Sequence, residues 1–115
     1  MAKILVVDDD VLSLEFLNIF LESEGHQVNI AVNLTEAYAF CASDVPDILI
    51  SDLNLGDESG ESIVKHAKET NDKLKVILIT GYDKVHLSGL DIAYDYLLTK
   101  PVDLNKLQEF ISQLN

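Results

Sequence analysis

Short apolar runs alternate along the chain with stretches in which apolar residues recur every three or four positions. The runs predict buried strands, and the three-four spacing predicts amphipathic helices between them. The predicted strands are Ile4–Val7, Gln27–Val32, Ile48–Ile50, Val76–Ile79 and Tyr96–Leu98. The predicted helices are one capped by Asp10 and ending near Ser23, followed by Leu34–Ala42, Glu61–Glu69, Tyr82–Leu90 and Leu104–Leu114.

The order of these elements predicts the fold. Strands that are apolar on both sides and alternate with helices form a parallel sheet covered on both faces. We therefore expect a doubly wound, flavodoxin-like α/β fold with five parallel strands. The chain has 115 residues, 48% of them hydrophobic, which suits a single core and predicts one domain over residues 1–115.

Composition narrows the classes of function. The net charge of −12 opposes contact with phosphate backbones, so we expect no direct binding of nucleic acid and favour a cation or a basic partner. No apolar run is long enough for a membrane span, and the first residues lack a signal-peptide pattern. Cys41 is the single cysteine, which excludes an internal disulfide and favours the cytoplasm.

Polar residues follow four of the predicted strands. Asp8 and Asp9 follow the first strand, Asp52 ends the third, Thr80 ends the fourth and Lys100 comes after the fifth. In open parallel sheets, ligands bind outside the carboxyl ends of the strands. Two carboxylates about 4 Å apart repel by roughly 4 kcal/mol at an effective dielectric near 20, so clustered acids favour a bound cation. This combination predicts a cation site at the carboxyl edge of the sheet.

Three acids, a hydroxyl and an ammonium together fit one chemistry, phosphoryl transfer to a carboxylate. Mg²⁺ takes oxygen ligands, among them one or two carboxylates, water and phosphoryl oxygens. The cation would relieve the repulsion between the acids and neutralise the phosphoryl oxygens during attack. The hydroxyl and the lysine would contact the remaining phosphoryl oxygens.

The segments ILVVDDD, PDILISDLNLGDESG, VILITG and YLLTKP occur in this order over almost the whole chain. In these segments the chain resembles the receiver domains of two-component response regulators, including the single-domain chemotaxis type. The resemblance implies a switch that takes a phosphoryl group from a sensor histidine kinase or a histidine phosphotransfer protein. The phosphorylated form would then change its binding to a downstream target or effector domain.

The resemblance also implies roles for individual residues. Asp52 would be the phosphoacceptor. Mg²⁺ would be held by the carboxylates of Asp9 and Asp52 and by the backbone carbonyl of Asn54, while Asp8 would act through water.

Other matching positions concern the phosphoryl group and the backbone around it. Thr80 would hydrogen-bond the phosphoryl group and move with it, and Lys100 would pair with the phosphate. The Lys100–Pro101 bond matches a peptide bond that is usually cis in this family. Gly60 matches the loop glycine of the family.

Three features depart from the family pattern. Leu97 occupies the position where most receivers carry Tyr or Phe, and Tyr96 beside it should point to the opposite face of the strand. The segment between Thr80 and Lys100 is shorter than usual, which predicts a truncated fourth helix. Gly56 replaces the common loop proline, which predicts a looser loop after Asp52. These departures predict ordinary phosphorylation with atypical readout.

Other interpretations remain open from the residues. A haloacid-dehalogenase-like phosphatase uses a similar set, but it requires a second aspartate where this chain has Asn54, and the chain has no room for a cap domain. A receiver that docks partners without phosphorylation is the other alternative. The last helix could form a homodimer face, although we expect its apolar stripe to pack on the sheet. Cys41 is expected to be a buried hydrophobe, and His26, His66 and His86 solvated surface residues.

Overall fold

The computed structural model describes residues 2–81 and 92–114. The main sheet contains the strands β1 (Lys3–Val7), β2 (Gln27–Ala31), β3 (Ile48–Asp52), β6 (Lys75–Thr80) and β7 (Tyr96–Thr99). These five strands are parallel and lie in the order β2-β1-β3-β6-β7. A separate hairpin consists of β4 (Asn54–Leu55) and β5 (Glu58–Ser59). The predicted five-stranded, doubly wound parallel sheet is confirmed.

Four helices lie in the described part of the chain, α1 (Val11–Ser23), α2 (Leu34–Ser43), α3 (Gly60–Thr70) and α4 (Leu104–Leu114). Leu14, Leu17 and Leu21 of α1 pack with Leu107 and Ile111 of α4 on one face of the sheet. Ala37 and Cys41 of α2 pack with Ile63, Val64 and Ala67 of α3 on the other face. The apolar stripe of α4 therefore packs on the sheet, as the sequence predicted.

The ends of α1 follow the capping rules. Asp10 is the N-cap, and its side chain accepts hydrogen bonds from the backbone amides of Leu12 and Ser13. Gly25 lies just beyond the helix with a φ of 90°, a left-handed value that glycine adopts without a steric penalty. Both predicted signals are confirmed, and the cap fixes the direction in which α1 leaves the end of β1.

Some sequence predictions differ from the structure or cannot be compared with it. The segment Asn54–Gly60, predicted as a loop, contains the hairpin and the first residue of α3. The predicted helix Tyr82–Leu90 lies outside the described residues. Within residues 2–81 and 92–114, no helix is long and apolar enough to span a membrane.

The cysteine and two of the histidines have defined surroundings. Cys41 is buried in α2, as predicted, and burial raises the pKa of its thiol. His26 is half-buried and its Nδ1 accepts a hydrogen bond from the Ala2 amide, so the prediction of a solvated surface residue is wrong there. His66, also half-buried, lies edge-on to the ring of Tyr38 with 4.7 Å between the ring centroids. His86 lies outside the described residues.

Candidate phosphoacceptor and metal site

The acidic cluster lies where the strand order of the sheet reverses. β1 pairs with β2 on one side and with β3 on the other, so the connections leave β1 and β3 in opposite directions. This arrangement opens a crevice at the carboxyl ends of the two strands. Asp8 and Asp9 follow β1, and Asp52 is the last residue of β3.

The three acids converge although they are far apart in the chain. Asp8, Asp9 and Asp52 each place a carboxylate oxygen within 4.8 Å of the others. Asp8 and Asp52 are buried, with only 1% and 4% of their surface exposed, whereas Asp9 is exposed. Burial, the largest influence, raises the pKa of Asp8, and the Asp10 amide and Lys100 only partly offset it. The set of oxygen donors therefore fits a hard divalent cation.

Lys100 supplies a positive charge between two of these acids. Its Nζ lies 2.6 Å from Oδ2 of Asp52 and 3.3 Å from Oδ2 of Asp8. Partial burial lowers the pKa of Lys100, but the hydrogen bond and charge of Asp52, followed by those of Asp8, outweigh it and leave the pKa raised. The ammonium is therefore held in its charged form against the buried carboxylates.

The local backbone orients the carboxylate of Asp52. Its Oδ1 accepts a hydrogen bond from the Asn54 amide at 2.9 Å, and the Leu53 amide donates to the Ile79 carbonyl at 2.9 Å. Each carboxylate oxygen thus has a fixed donor, the Asn54 amide for Oδ1 and Lys100 for Oδ2. The two donors therefore fix the orientation of the Asp52 carboxylate.

Gly60 and Ser51 support Asp52 from behind. A Cβ at Gly60 would lie 2.2 Å from the Asp52 carbonyl oxygen and 3.0 Å from the Ser51 hydroxyl oxygen. The buried Ser51 hydroxyl donates to the same Asp52 carbonyl at 3.0 Å. Gly60 is therefore required by close backbone approach, which explains the match to the family glycine in physical terms. Ser51 was not singled out from the sequence, since a serine in an apolar strand carries no distinctive signal.

An open cavity of about 350 Å³ lies over the site. It is lined by Asp9, Asp52, Asn54, Gly56, Gly81 and Lys100. Thr80 is buried at the end of β6, where its carbonyl accepts a hydrogen bond from the Lys100 amide at 2.9 Å. The Lys100–Pro101 bond is cis, as the resemblance implied. The structure thus brings all the predicted site residues to one edge of the sheet, and Asp9, Asp52, Asn54 and Lys100 among them line the space open to a ligand.

The loop after Asp52 differs from the expected looser loop. Asn54 pairs with Ser59, and Leu55 pairs with Glu58, so Gly56 and Asp57 form a two-residue turn. Gly56 has a φ of 73°, which proline cannot adopt because its ring fixes φ near −65°. The residue that predicted a looser loop therefore lies at the turn of a regular hairpin.

Tyr96 and Leu97 lie on opposite faces of β7, as their one-residue offset predicted. Leu97 packs with the cluster under α2 and α3, and Tyr96 packs with the cluster under α1 and α4. The Tyr96 ring stacks on Phe110 with 4.1 Å between centroids and 5° between planes, and its hydroxyl donates to Gln113. Tyr96 is thus engaged with α4 and does not replace the aromatic residue that the family carries at position 97.

One surface near the site was not recognised from the sequence. Helix α1 exposes Leu12, Phe16 and Ile19, with 76%, 57% and 70% of their surface accessible. Their spacing of four and three residues places them on one side of the helix, away from the buried leucines. The sequence signal was the excess of apolar residues in α1 beyond the single stripe that contacts the sheet. We call these three residues the α1 apolar face.

Comparison with known proteins identifies the family. The sequence model of the protein family described as the response regulator receiver domain matches residues 4–112. The transcriptional regulatory protein PmrA of Pectobacterium parmentieri is 35% identical over 114 residues, which cover 97% of this chain and 51% of that protein. The virulence transcriptional regulatory protein PhoP of Salmonella typhimurium is 35% identical over 113 residues, covering 93% and 49%. The chain thus spans about half the length of these relatives.

Solved structures agree with this assignment. A CheY-like receiver domain protein of Methanospirillum hungatei superimposes with a TM-score of 0.89 at 30% identity, covering 98% of this chain and 92% of that one. A receiver domain protein of Clostridium thermocellum gives a TM-score of 0.88 at 28% identity, covering 99% and 94%. The match favours a signalling switch over the phosphatase alternative. The chain belongs to the response regulator receiver domain family and has the phosphoacceptor role of that family in two-component signalling.

Proposed function

We propose that Asp52 is the residue that accepts the phosphoryl group, in the cytoplasm and with Mg²⁺ bound beside it. The donor would be the phosphohistidine of a sensor histidine kinase or a histidine phosphotransfer protein. The observation that carries this proposal is the environment of the Asp52 carboxylate. It is buried at the end of a central strand, lines an open cavity and has a fixed donor on each oxygen.

The transfer exchanges one bond for another. An Asp52 oxygen forms a bond to phosphorus, the phosphorus–nitrogen bond of the phosphohistidine breaks, and its electron pair returns to the imidazole. Lys100 lies 2.6 Å from Asp52 before the transfer. It would keep its charge and pair with a phosphoryl oxygen when the Asp52 oxygen bonds to phosphorus and loses its negative charge. The Thr80 hydroxyl would hydrogen-bond another phosphoryl oxygen.

The cation would be held by Asp9, by Asp52 and by the backbone carbonyl of Asn54. When bound, Mg²⁺ supplies positive charge that neutralises the phosphoryl oxygens. Asp8 would act through water, which is supported by its position. Its Oδ1 accepts from the Asp10 amide at 3.0 Å, its Oδ2 faces Lys100, and it does not line the open cavity.

The α1 apolar face includes a residue, Phe16, that lies close to two charged residues of the site. Phe16 lines a second cleft, of about 210 Å³, whose wall also includes Asp8 and Lys100. A protein that brings a phosphohistidine to Asp52 would therefore cover α1 as well. The acidic residues Glu15 and Glu22 are exposed on the same helix, which favours basic groups around an apolar contact on the donor. We propose this face as the contact surface for the phosphodonor protein.

Labelling with a small phosphodonor tests the proposed function. Incubation of the chain with acetyl phosphate and Mg²⁺, followed by intact mass measurement, should show the gain of one phosphoryl group. Asp52→Asn should abolish this gain, while Asp57→Asn, an exposed acid in the neighbouring turn, should keep it. No gain in the wild-type chain, or an undiminished gain in Asp52→Asn, would contradict the proposal. The first of these results would favour the phosphorylation-independent docking module.

The docking surface has its own test. Phe16→Asp should slow phosphorylation by a histidine kinase that phosphorylates the wild-type chain, because a charge on the α1 apolar face opposes apolar contact. The same variant should be labelled by acetyl phosphate at the wild-type rate, since Phe16 does not line the cavity over Asp52. Equal losses with both donors would contradict a docking role and indicate damage to the fold.

A further inference from the structure

The hairpin of β4 and β5 joins the Asp52 site to helix α2. It begins two residues after Asp52, and its first residue, Asn54, lines the cavity over the site. The Asn54 amide donates to Asp52, and the Gly60 amide donates to the Leu53 carbonyl at 2.9 Å, which closes the base of the hairpin. The hairpin is therefore fixed to the site at its base.

Gly56 determines the turn of the hairpin. It is the first of the two central residues and has a φ of 73°, while no residue other than glycine has a positive φ within the described ranges 2–81 and 92–114. A positive φ at the first central position alone fits a type II′ turn, which favours glycine there and matches the twist of paired strands. A Cβ at this position would lie 3.8 Å from Oδ2 of Asp9, so the requirement concerns the backbone and not space.

Glu58 fixes the other strand of the hairpin. Its Oε1 accepts a hydrogen bond at 3.2 Å from the amide of Leu34, the first residue of α2. That amide is one of the free donors at the helix N-terminus, where a carboxylate is also favoured by the helix dipole. The other strand of the hairpin, β4, places Leu55 in the core under α2 and α3. Thus a polar contact and an apolar contact both hold the hairpin against the body of the domain.

We propose that this hairpin presets the Asn54 carbonyl for the cation, with Gly56 and Glu58 as positioning residues. The proposal rests on the proposed function, since it assumes that Asn54, Asp9 and Asp52 hold Mg²⁺. Gly56 acts by allowing the turn, and Glu58 acts by holding β5 against α2. In this chain the regular turn replaces the proline of the family as the element that limits motion of the loop.

Matched substitutions separate the turn from the residue that forms it. Gly56→Pro forbids the positive φ, whereas Gly56→Asn tolerates it better than other side chains do. Glu58→Ala removes the acceptor for the Leu34 amide, and Glu58→Gln keeps an acceptor oxygen without the charge. For each variant we would measure Mg²⁺ affinity by titration calorimetry and amide hydrogen exchange of Asn54–Ser59 by NMR, with urea unfolding to show that the variant folds.

Gly56→Pro and Glu58→Ala should weaken Mg²⁺ binding by about tenfold, the low end for loss of a group that supports metal ligands. Both should also speed exchange of the hairpin amides without changing exchange in β1. Glu58→Gln should bind Mg²⁺ within about threefold of the wild type, because the acceptor persists. Gly56→Asn should bind Mg²⁺ more weakly than the wild type and more tightly than Gly56→Pro, because asparagine adopts a positive φ with strain and proline cannot adopt it.

Two results would overturn the proposal. Wild-type Mg²⁺ affinity in a Gly56→Pro or Glu58→Ala variant with faster hairpin exchange would show that the hairpin does not position a ligand. Unchanged exchange in both variants would show that these residues do not hold the hairpin. If the wild-type chain binds no Mg²⁺, the cation site of the proposed function fails, and the exchange data still decide whether Gly56 and Glu58 fix the hairpin. Phosphorylation of Asp52 is measured separately by mass.

Discussion

The Asp52 pocket and the corner formed by β7 and α4 adjoin each other, and they relate to the family in opposite ways. In the pocket, Asp8, Asp52 and Lys100 form a charged group with distances of 2.6 and 3.3 Å from the ammonium to the two acids. At the corner, the Tyr96 ring stacks on Phe110 on one face of β7 while Leu97 packs on the other. The pocket contains all the residues that the proposed phosphoryl transfer would use, whereas the corner has Leu97 where the resemblance implies an aromatic residue.

If Asp52 is phosphorylated as proposed, this difference would mean that chemistry and readout are constrained separately. Phosphoryl transfer requires particular charges at particular distances, so few substitutions in the pocket are compatible with it. A conformational readout requires only that two packings differ in free energy when the phosphoryl group is present. Different side chains can meet that requirement. Phosphorylation of this chain would therefore be read out by a rearrangement that does not use an aromatic residue at position 97.

The largest effect expected within this comparison comes from removing the ammonium of Lys100 from the pocket. In Lys100→Met, the phosphoryl oxygens lose a charged partner and the buried Asp8 and Asp52 lose their neutralising ammonium. We expect labelling by acetyl phosphate to slow by about 100-fold, the usual loss for removal of one transition-state donor. The time course of the intact mass measures this rate, with Lys106→Met, at an exposed position of α4, as the control. A rate within threefold of the wild type would contradict the role of Lys100.

A smaller effect is expected from distortion of the pocket. Gly60→Ala would place a Cβ 2.2 Å from the Asp52 carbonyl oxygen, so β3 and the start of α3 must separate. We expect a loss of about 3 kcal/mol in the free energy of unfolding, the upper range for overpacking. Urea unfolding measures this loss, and Gly81→Ala is the control because a Cβ there would meet no atom within 4 Å. Equal stability of the two variants would contradict the close approach at Gly60.

The fold and the site were predictable for a physical reason. Strands buried on both faces are nearly continuous apolar runs, so their ends are marked by the first polar residue. In this chain Asp8 and Thr80 are those first polar residues, Asp52 and Lys100 each follow one residue after theirs, Ser51 and Thr99, and parallel strands bring all four site residues to one edge. For the predicted strands and helices among residues 2–81 and 92–114, the differences are at the ends, as where β3 continues through Asp52 instead of ending at Ile50.

The features that were not predicted depend on tertiary contacts. The hairpin after Asp52 has two-residue strands, too short for an alternating pattern, and Gly56 alone gives no turn type. The carboxylate of Glu58 reaches Leu34 across 24 residues of sequence. Similarly, the α1 apolar face becomes visible only when the stripe that packs on the sheet is known, because both sets of residues recur at helical spacing.

The smallest expected effect is the pH dependence of stability caused by His26, which lies outside both the pocket and the corner. Burial, followed by the charge of the N-terminus, lowers the pKa of the half-buried His26. Protonation would also remove Nδ1 as the acceptor for the Ala2 amide. The stabilising contribution of neutral His26 is therefore present above its ordinary pKa of about 6.5 and is lost as pH falls through the lowered folded-state value.

Urea unfolding between pH 5 and pH 8 measures this contribution of His26 to stability. These limits lie about 1.5 units below and above the ordinary histidine pKa. The wild-type chain should lose stability on acidification across this range, and His26→Gln should lose less, because glutamine keeps an acceptor and does not titrate. Parallel curves for the two proteins would place the pH dependence in other groups.

NMR spectroscopy tests the contrast between pocket and corner most directly. Spectra of the wild-type chain with Mg²⁺ would be recorded with and without beryllofluoride, which mimics the phosphoryl group. We predict large shifts for the amides of Asp9, Asp52 and Lys100. We also predict that the Tyr96 and Phe110 rings keep their mutual contacts in both spectra. Unchanged pocket amides would contradict phosphorylation at Asp52. Loss of the ring contacts, as in a rearrangement coupled to Thr80 through an aromatic residue, would contradict an atypical readout.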